Sequence, residues 1–123
     1  MSRLICPELT KDIIGACMRV HNEIGNGFPE VIYQRALEIE FEKSGISFNR
    51  ELEMEVKYRG EFVGCRRVDF LINDLVVVEL KAVSALEPIH FSQIINYLKA
   101  YDKKIGLLIN FGKPKLELKR FVR

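Results

Sequence analysis

A chain of 123 residues, 48% apolar and 29% charged, holds enough material for one hydrophobic core and too little for two. That balance reads as a soluble globular protein rather than a disordered one, and no apolar run approaches the roughly 20 residues that a membrane helix needs. The net charge of +2 hides an uneven distribution, with eight Lys or Arg against two acidic residues from Lys99 to Arg123 and nine Glu against five Lys or Arg from Glu23 to Glu61. A basic C-terminal third can follow a phosphate backbone or be a plain solvated face, and composition alone favours the second. The first residues, Met1–Glu8, lack the apolar stretch of a signal peptide. Cys6, Cys17 and Cys65 match neither a disulfide framework nor a CxxC metal site, and read as reduced thiols of a cytoplasmic protein.

In chain order, residues 10–25 carry Ile13, Cys17, Val20 or His21, and Ile24 at helical spacing, with Thr10 as N-cap and Gly25 as stop. After the turn Gly25-Asn26-Gly27, Pro29 suits the first position of a second helix running to Ser44 and ending at Gly45. Its apolar stripe takes Ile32 or Tyr33, Ala36 or Leu37, Ile39 or Glu40, and Phe41, and the short loop predicts that the two helices pack together. From Ile46 to Tyr58 the period becomes two, with Leu52, Met54, Val56 and Tyr58 inward and Glu51, Glu53, Glu55 and Lys57 outward. Arg59-Gly60 is a turn, Phe62–Ile72 a second strand, and Leu75–Lys81 a third, apolar on both faces like a covered central strand. Pro88 opens a helix over 88–102, with Ile89, Ile94 or Ile95, Leu98 and Tyr101 inward. Ile105–Phe111 and Leu116–Val122 are the last strands. A helix crossing between 75–81 and 105–111 makes those two strands parallel. No repeat or boundary divides the chain, so residues 1–123 are expected to form a single domain, an α/β fold with a mixed sheet.

Residues 68–81 conflict with their own pattern. Asp69, Glu79 and Lys81 interrupt what otherwise reads as buried sheet, and buried ions are costly unless paired or bound to metal. Glu79 and Lys81 share a strand face. Asp69 joins them only if position 69 pairs with 79, which requires the three-residue loop Asn73-Asp74-Leu75 or a bulge; a two-residue turn would separate them. In the first register the two carboxylates repel and raise each other's pKa. A hard divalent cation, Mg²⁺ or Mn²⁺, relieves this, and Lys81 can orient or deprotonate an attacking water. The plainer alternative salt-bridges Asp69 and Glu79 to Arg67 and Lys81, and on the Glu-x-Lys tripeptide alone it is the better one.

The spaced Asp69 and Glu79-Leu80-Lys81 resemble the active-site signature of the PD-(D/E)xK nuclease superfamily, and the element order is similar to its restriction-endonuclease-like core: a three-stranded antiparallel meander plus a parallel strand after a crossover helix, flanked by helices. Gly27-Phe28-Pro29-Glu30-Val31-Ile32-Tyr33 reads GxxExxY, the signature of a family of small bacterial proteins named for it. Gln93-Ile94-Ile95-Asn96-Tyr97 reads QxxxY, a motif of the RecB-type exonuclease branch. Val20–Gly25 and Ile105–Phe111 are also similar to that family, so the likeness spans roughly residues 8–112. It departs from the signature at Val68, where the name has proline.

The resemblance implies Asp69 and Glu79 as metal ligands, the Leu80 backbone carbonyl as a further ligand, Glu30 as the completing acid and Lys81 as the catalytic lysine. Gln93 and Tyr97, one helical turn apart, would support the catalytic strand or touch substrate, although plain packing explains Tyr97 about as well. Tyr33 would be structural, with its hydroxyl near the site. Arg67 is a candidate phosphate contact, with an ion pair to Asp69 as its rival. His21 reads as a core histidine, and His90 is placed near the pocket without a role.

The function implied is a Mg²⁺-dependent nuclease, with Mn²⁺ as substitute, hydrolysing DNA phosphodiester bonds in DNA processing. The rival is a non-catalytic nucleic-acid-binding or protein-interaction module that keeps the fold; a metal-dependent hydrolase of another phosphoester is a weaker third. The partner is nucleic acid, DNA first, with no membrane. The modest basic patch leaves room for a homodimer or a partner protein.

Overall fold

Ile13, Ala16, Cys17 and Val20 line the buried side of the first helix, α1 (Pro7–Ile24), in a computed structural model that describes residues 7–123. Cys6 lies outside the described residues. Thr10 does not cap this helix as its residue type suggests. The helix starts earlier, at Pro7, so Thr10 falls one turn before Ile13 on the buried face. Glycine 25 ends α1, its amide bonded to the His21 carbonyl at 2.8 Å. Pro29 is the N-cap of α2 (Glu30–Lys43) rather than its first residue, with extended backbone at φ −62° and ψ 155°. Of the alternatives for its inner stripe, Tyr33, Leu37 and Phe41 are buried, while Ile32 and Ile39 face out.

Arg59-Gly60 forms the expected turn between β1 (Phe48–Tyr58) and β2 (Glu61–Ile72). Both residues take positive φ, 52° and 82°, the two-residue turn whose twist suits a hairpin. Alternation predicted Leu52, Met54, Val56 and Tyr58 inward, but only Met54 is buried, and Tyr58 is 65% exposed. The outer half of the hairpin extends past the packed helices, so neither face is covered there.

The five strands lie in the order β1-β2-β3-β4-β5, adding β3 (Val76–Lys81), β4 (Ile105–Asn110) and β5 (Glu117–Val122). Neighbours are antiparallel except β3 and β4, which run parallel on either side of the crossover helix α3 (Pro88–Ala100), as the sequence predicts. Pro88 opens α3, and Glu87 caps it with its amide donating to His90 Nδ1 at 3.0 Å, so His90 serves the cap. Ile89, expected inward, is 60% exposed, because the buried stripe is Ile94, Tyr97 and Leu98.

One side of the sheet packs Phe70, Ile72, Val78, Leu80 and Phe111 against α1 and α2; the other packs Leu71, Val77 and Leu108 against α3. Side chains two apart on a strand should share a face. Yet Val68 packs on the α3 side and Phe70 on the α1–α2 side, and across the hairpin Leu52 and Phe48 divide the same way. The switch falls at Asp69 and its neighbour Glu51, whose φ is +54°, between the pairs Arg50↔Phe70 and Leu52↔Val68. Such an irregularity re-aims side chains, here a carboxylate.

Asn110 closes the C-terminal end of β4, at the edge of the sheet where β3 also ends. It is fully buried, accepts the amides of Val83 and Gly112 at 3.0 Å each, and donates to the Val83 carbonyl and to Glu117 at 3.0 and 3.1 Å. Gly112 lies so close to the segment after β3 that an added Cβ would overlap the Val83 backbone. Gly112→Ala is therefore expected to lower stability by about 2 kcal/mol, an overpacking cost, measured by urea unfolding; no loss would mean the two segments separate freely.

Candidate active site

The β2–β3 ladder pairs Phe70 with Val78, Leu71 with Val77 and Ile72 with Val76, leaving the three-residue loop Asn73-Asp74-Leu75. This is the register that brings Asp69 opposite Glu79. At that point side chains replace the ladder. Glu79 Oε1 accepts the Asp69 amide at 2.9 Å, and Asp69 Oδ2 accepts the Leu80 amide at 2.8 Å. The strands are thus held by the two carboxylates where backbone pairing ends.

The remaining oxygen of Asp69, Oδ1, accepts from Gln34 Nε2 at 3.2 Å. The sequence reading missed Gln34. A signal existed, since it is a polar residue on a buried stripe, four positions after Glu30 and therefore on the same face of α2.

Glu79 is only 6% exposed. Burial first, and then the adjacent Asp69 charge, push its carboxyl from 4.5 up to about 8, against the pull of the Asp69 amide and Lys81. Asp69 is raised by burial and by Glu51, with the Leu80 amide and Lys81 opposing. Glu30, half-buried at the start of α2, is raised by burial and by Asp69, and Lys81 opposes. One lysine therefore acts on three carboxylates through its field. Neither Asp69 nor Glu79 forms an ion pair among the described residues, so the plain salt-bridge alternative does not describe this site. Arg67 pairs instead with Glu51 at 3.7 Å, an exposed contact on the neighbouring strand.

These shifts fix the sign of a pH effect. A carboxyl whose folded pKa lies above its unfolded value binds its proton more tightly when folded, so stability is fullest below the unfolded pKa and is lost as pH rises through the folded one. In EDTA the protein is expected to lose stability between pH about 4.5 and about 8, the window of Glu79. Glu79→Gln removes much of that slope and leaves the variant more stable than the parent at the upper end. Urea midpoints across the window test this, and parallel curves for the two proteins would contradict it.

Tyr97 is buried, and its hydroxyl is raised by burial and by Glu79, which places it in the field of the site. Gln93 and Tyr97 border a cleft of about 460 Å³ between α3 and the β1–β2 arm, together with Met54, Val63, Arg66 and Asn96. Tyr33 is structural, but its hydroxyl serves a turn and not the carboxylates. It donates to the Gly25 carbonyl at 2.6 Å and accepts the Phe28 amide at 3.3 Å, fixing the turn that leads into Glu30. Its ring stacks on Phe111 at 4.6 Å. His21 is a satisfied core histidine, with Nε2 donating to the Lys113 carbonyl at 2.9 Å. Cys17 is buried and Cys65 exposed, both free thiols.

The donor set is all oxygen: two desolvated, mutually repelling carboxylates beside the Leu80 backbone. That chemistry fits a hard divalent cation, whose charge would offset the desolvation that raises both groups and the repulsion that Asp69 exerts on Glu79. Among the described residues no three His, Cys, Asp or Glu side chains are arranged to enclose an ion, so Glu30 bears on the pair through space.

Residues 7–121 match the sequence family described as the PD-(D/E)XK nuclease superfamily. No curated protein matches the chain. Among solved structures, the protein SSO0001 superposes with a TM-score of 0.56 at 18% identity, over 94% of this chain and 65% of that one, a likeness of fold. This chain thus spans just under two thirds of that protein's length. An alkaline exonuclease from Laribacter hongkongensis aligns at 11% identity with a TM-score of 0.45, over 100% of this chain and 72% of that one. No helix among the described residues is long and apolar enough to cross a membrane.

Proposed function

The chain belongs to the PD-(D/E)XK nuclease superfamily, and from that premise we propose that it is a metal-dependent nuclease hydrolysing phosphodiester bonds of DNA, with residues 1–123 as one nuclease-like domain. The observation that carries the reading is the pairing of the half-buried Asp69 and the buried Glu79 where β2 and β3 part, both raised in pKa and, among the described residues, without a cationic partner at ion-pair distance. Two such groups are a liability to folding unless the site has a use for them.

In this proposal Asp69, Glu79 and the Leu80 carbonyl hold Mg²⁺, or Mn²⁺ in its place, and Glu30 adds negative charge from the α2 side. When bound, the cation supplies Lewis-acid stabilisation of charge at the phosphorus and lowers the pKa of water. Lys81, whose positive charge acts on the three carboxylates, would orient the attacking water and offset the charge that develops at the phosphate. Gln93 and Tyr97 support the catalytic strand from α3, Arg67 contacts a phosphate after leaving Glu51, and Tyr33 keeps the Glu30 turn in place. Within the superfamily we assign the chain to the GxxExxY family and the RecB-type branch, on Gly27–Tyr33 and on Gln93 and Tyr97. A cytoplasmic setting suits its free cysteines.

The test is cleavage of a mixed set of labelled DNAs in Mg²⁺ or Mn²⁺ against EDTA. Cleavage that depends on the cation is the expected result; cleavage that persists in EDTA, or none on any DNA form, contradicts it. A non-catalytic binding module is the second reading, favoured by the absence of three enclosing side chains among the described residues. That module would bind DNA and cleave none of it.

A further inference from the structure

β3 and β4 run parallel with Lys81 opposite Asn110, so the loop that leaves β4 emerges at the same edge of the sheet as Glu79-Leu80-Lys81. That loop carries Lys113 and Lys115. Its first half is fastened residue by residue. The Phe111 amide donates to the Lys81 carbonyl at 2.8 Å, the Gly112 amide to Asn110 at 3.0 Å, and the buried His21 to the Lys113 carbonyl at 2.9 Å. From Phe111 the chain reaches Lys113 within at most about 7 Å. The Phe111 ring stacks on Tyr33, which ties the loop to the turn before Glu30 as well. The Lys113 backbone is therefore fixed at the edge of the sheet where Glu79 and Lys81 end, with little freedom left to lose on binding, and Lys115 follows two residues on.

Their charge is not consumed within the fold. Lys113 has Glu117 at 4.0 Å, a surface pair worth little, and Lys115 is exposed and makes no ion pair among the described residues. Without added cations, a nucleic acid approaching Asp69, Glu79 and Glu30 meets repulsion. A rim of fixed positive charge offsets that repulsion on the neighbouring phosphates.

We infer that the Lys113–Lys115 loop is a contact for the phosphate backbone of the nucleic acid, seating phosphates that flank the one at Asp69 and Glu79. This deepens the nuclease reading and rests on it. The two lysines would act as positioning residues.

The test is fluorescence-anisotropy binding of a labelled duplex with single-stranded tails, in Ca²⁺ and over a range of salt. It compares the parent, Lys113→Gln/Lys115→Gln, Lys113→Arg/Lys115→Arg, and a control, Lys11→Gln/Lys43→Gln, on exposed positions of α1 and α2. Each phosphate contact adds about −0.7 to −0.9 to the slope of log K against log salt. The glutamine pair is expected to make the slope shallower by about one to two and to weaken binding roughly tenfold near 0.1 M salt. The arginine pair should bind like the parent, and so should the control. A glutamine pair that binds like the parent, or a control that loses as much, overturns the inference and leaves the nuclease reading standing. A parent protein that binds no DNA overturns both.

Discussion

Glu79→Gln is expected to lower cation-dependent DNA cleavage by at least about 100-fold while making the metal-free protein more stable near pH 8. The two effects have one cause. The glutamine side chain can still accept the Asp69 amide hydrogen bond, now 2.9 Å long, so the join between β2 and β3 survives. What it removes is a buried charge whose carboxyl stands at about 8, raised by burial and by Asp69. A group that merely braced the strands would lose stability with activity, whereas a group kept for chemistry loses activity and gains stability. Initial cleavage rates in Mg²⁺ and urea midpoints in EDTA, taken on the same preparations, test the pairing. Full activity in the variant would remove Glu79 from the site.

Asn110→Ala is expected to cost about 3–4 kcal/mol, the largest stability loss of any single side chain proposed for change, with Gly112→Ala below it. The amide makes four hydrogen bonds, and its removal strands the Val83 amide and carbonyl and the Gly112 amide where β3 and β4 end. Each unsatisfied buried group costs about 1–3 kcal/mol, reduced here because water reaches the half-buried Val83 and Gly112. Since Phe111 also bonds to the Lys81 carbonyl, the loss should loosen the lysine along with the fold. Urea unfolding at constant pH measures it; a loss under about 1 kcal/mol would show that the segment after β3 is held by packing alone.

Most of the fold was legible because its signals are local. Period-two and period-3.6 patterns, Pro88 at a helix start and Arg59-Gly60 at a turn depend on neighbours in sequence. The register of β2 against β3 stayed open in sequence, where a two-residue Asn73-Asp74 turn and a three-residue loop both fitted; the loop is the three-residue one, β3 begins at Val76 and not Leu75, and Asp69 comes opposite Glu79. What failed depended on tertiary reach. Val56 and Tyr58 alternate like buried residues, but no helix extends over the hairpin tip. Thr10 looks like a cap but sits inside a longer helix, and Ile89 looks like core but precedes the buried stripe of α3.

In the site, Gln34 and Asn110 were passed over because a buried amide has no sequence pattern of its own. Its value depends on which backbone groups lie opposite. The positive φ of Glu51 is equally silent in sequence, yet it accompanies the change of face that presents Asp69 to α2.

Whether the half-buried Asp69 and the buried Glu79 hold a divalent cation is tested most directly by calorimetric titration of the metal-free protein with Mn²⁺. At pH 7 Glu79 is mostly protonated, so binding should release about one proton, seen as a dependence of the heat on the ionisation enthalpy of the buffer. Asp69→Asn and Glu79→Gln should each weaken binding by at least about tenfold. No heat of binding, or variants that bind as tightly as the parent, would contradict the assignment.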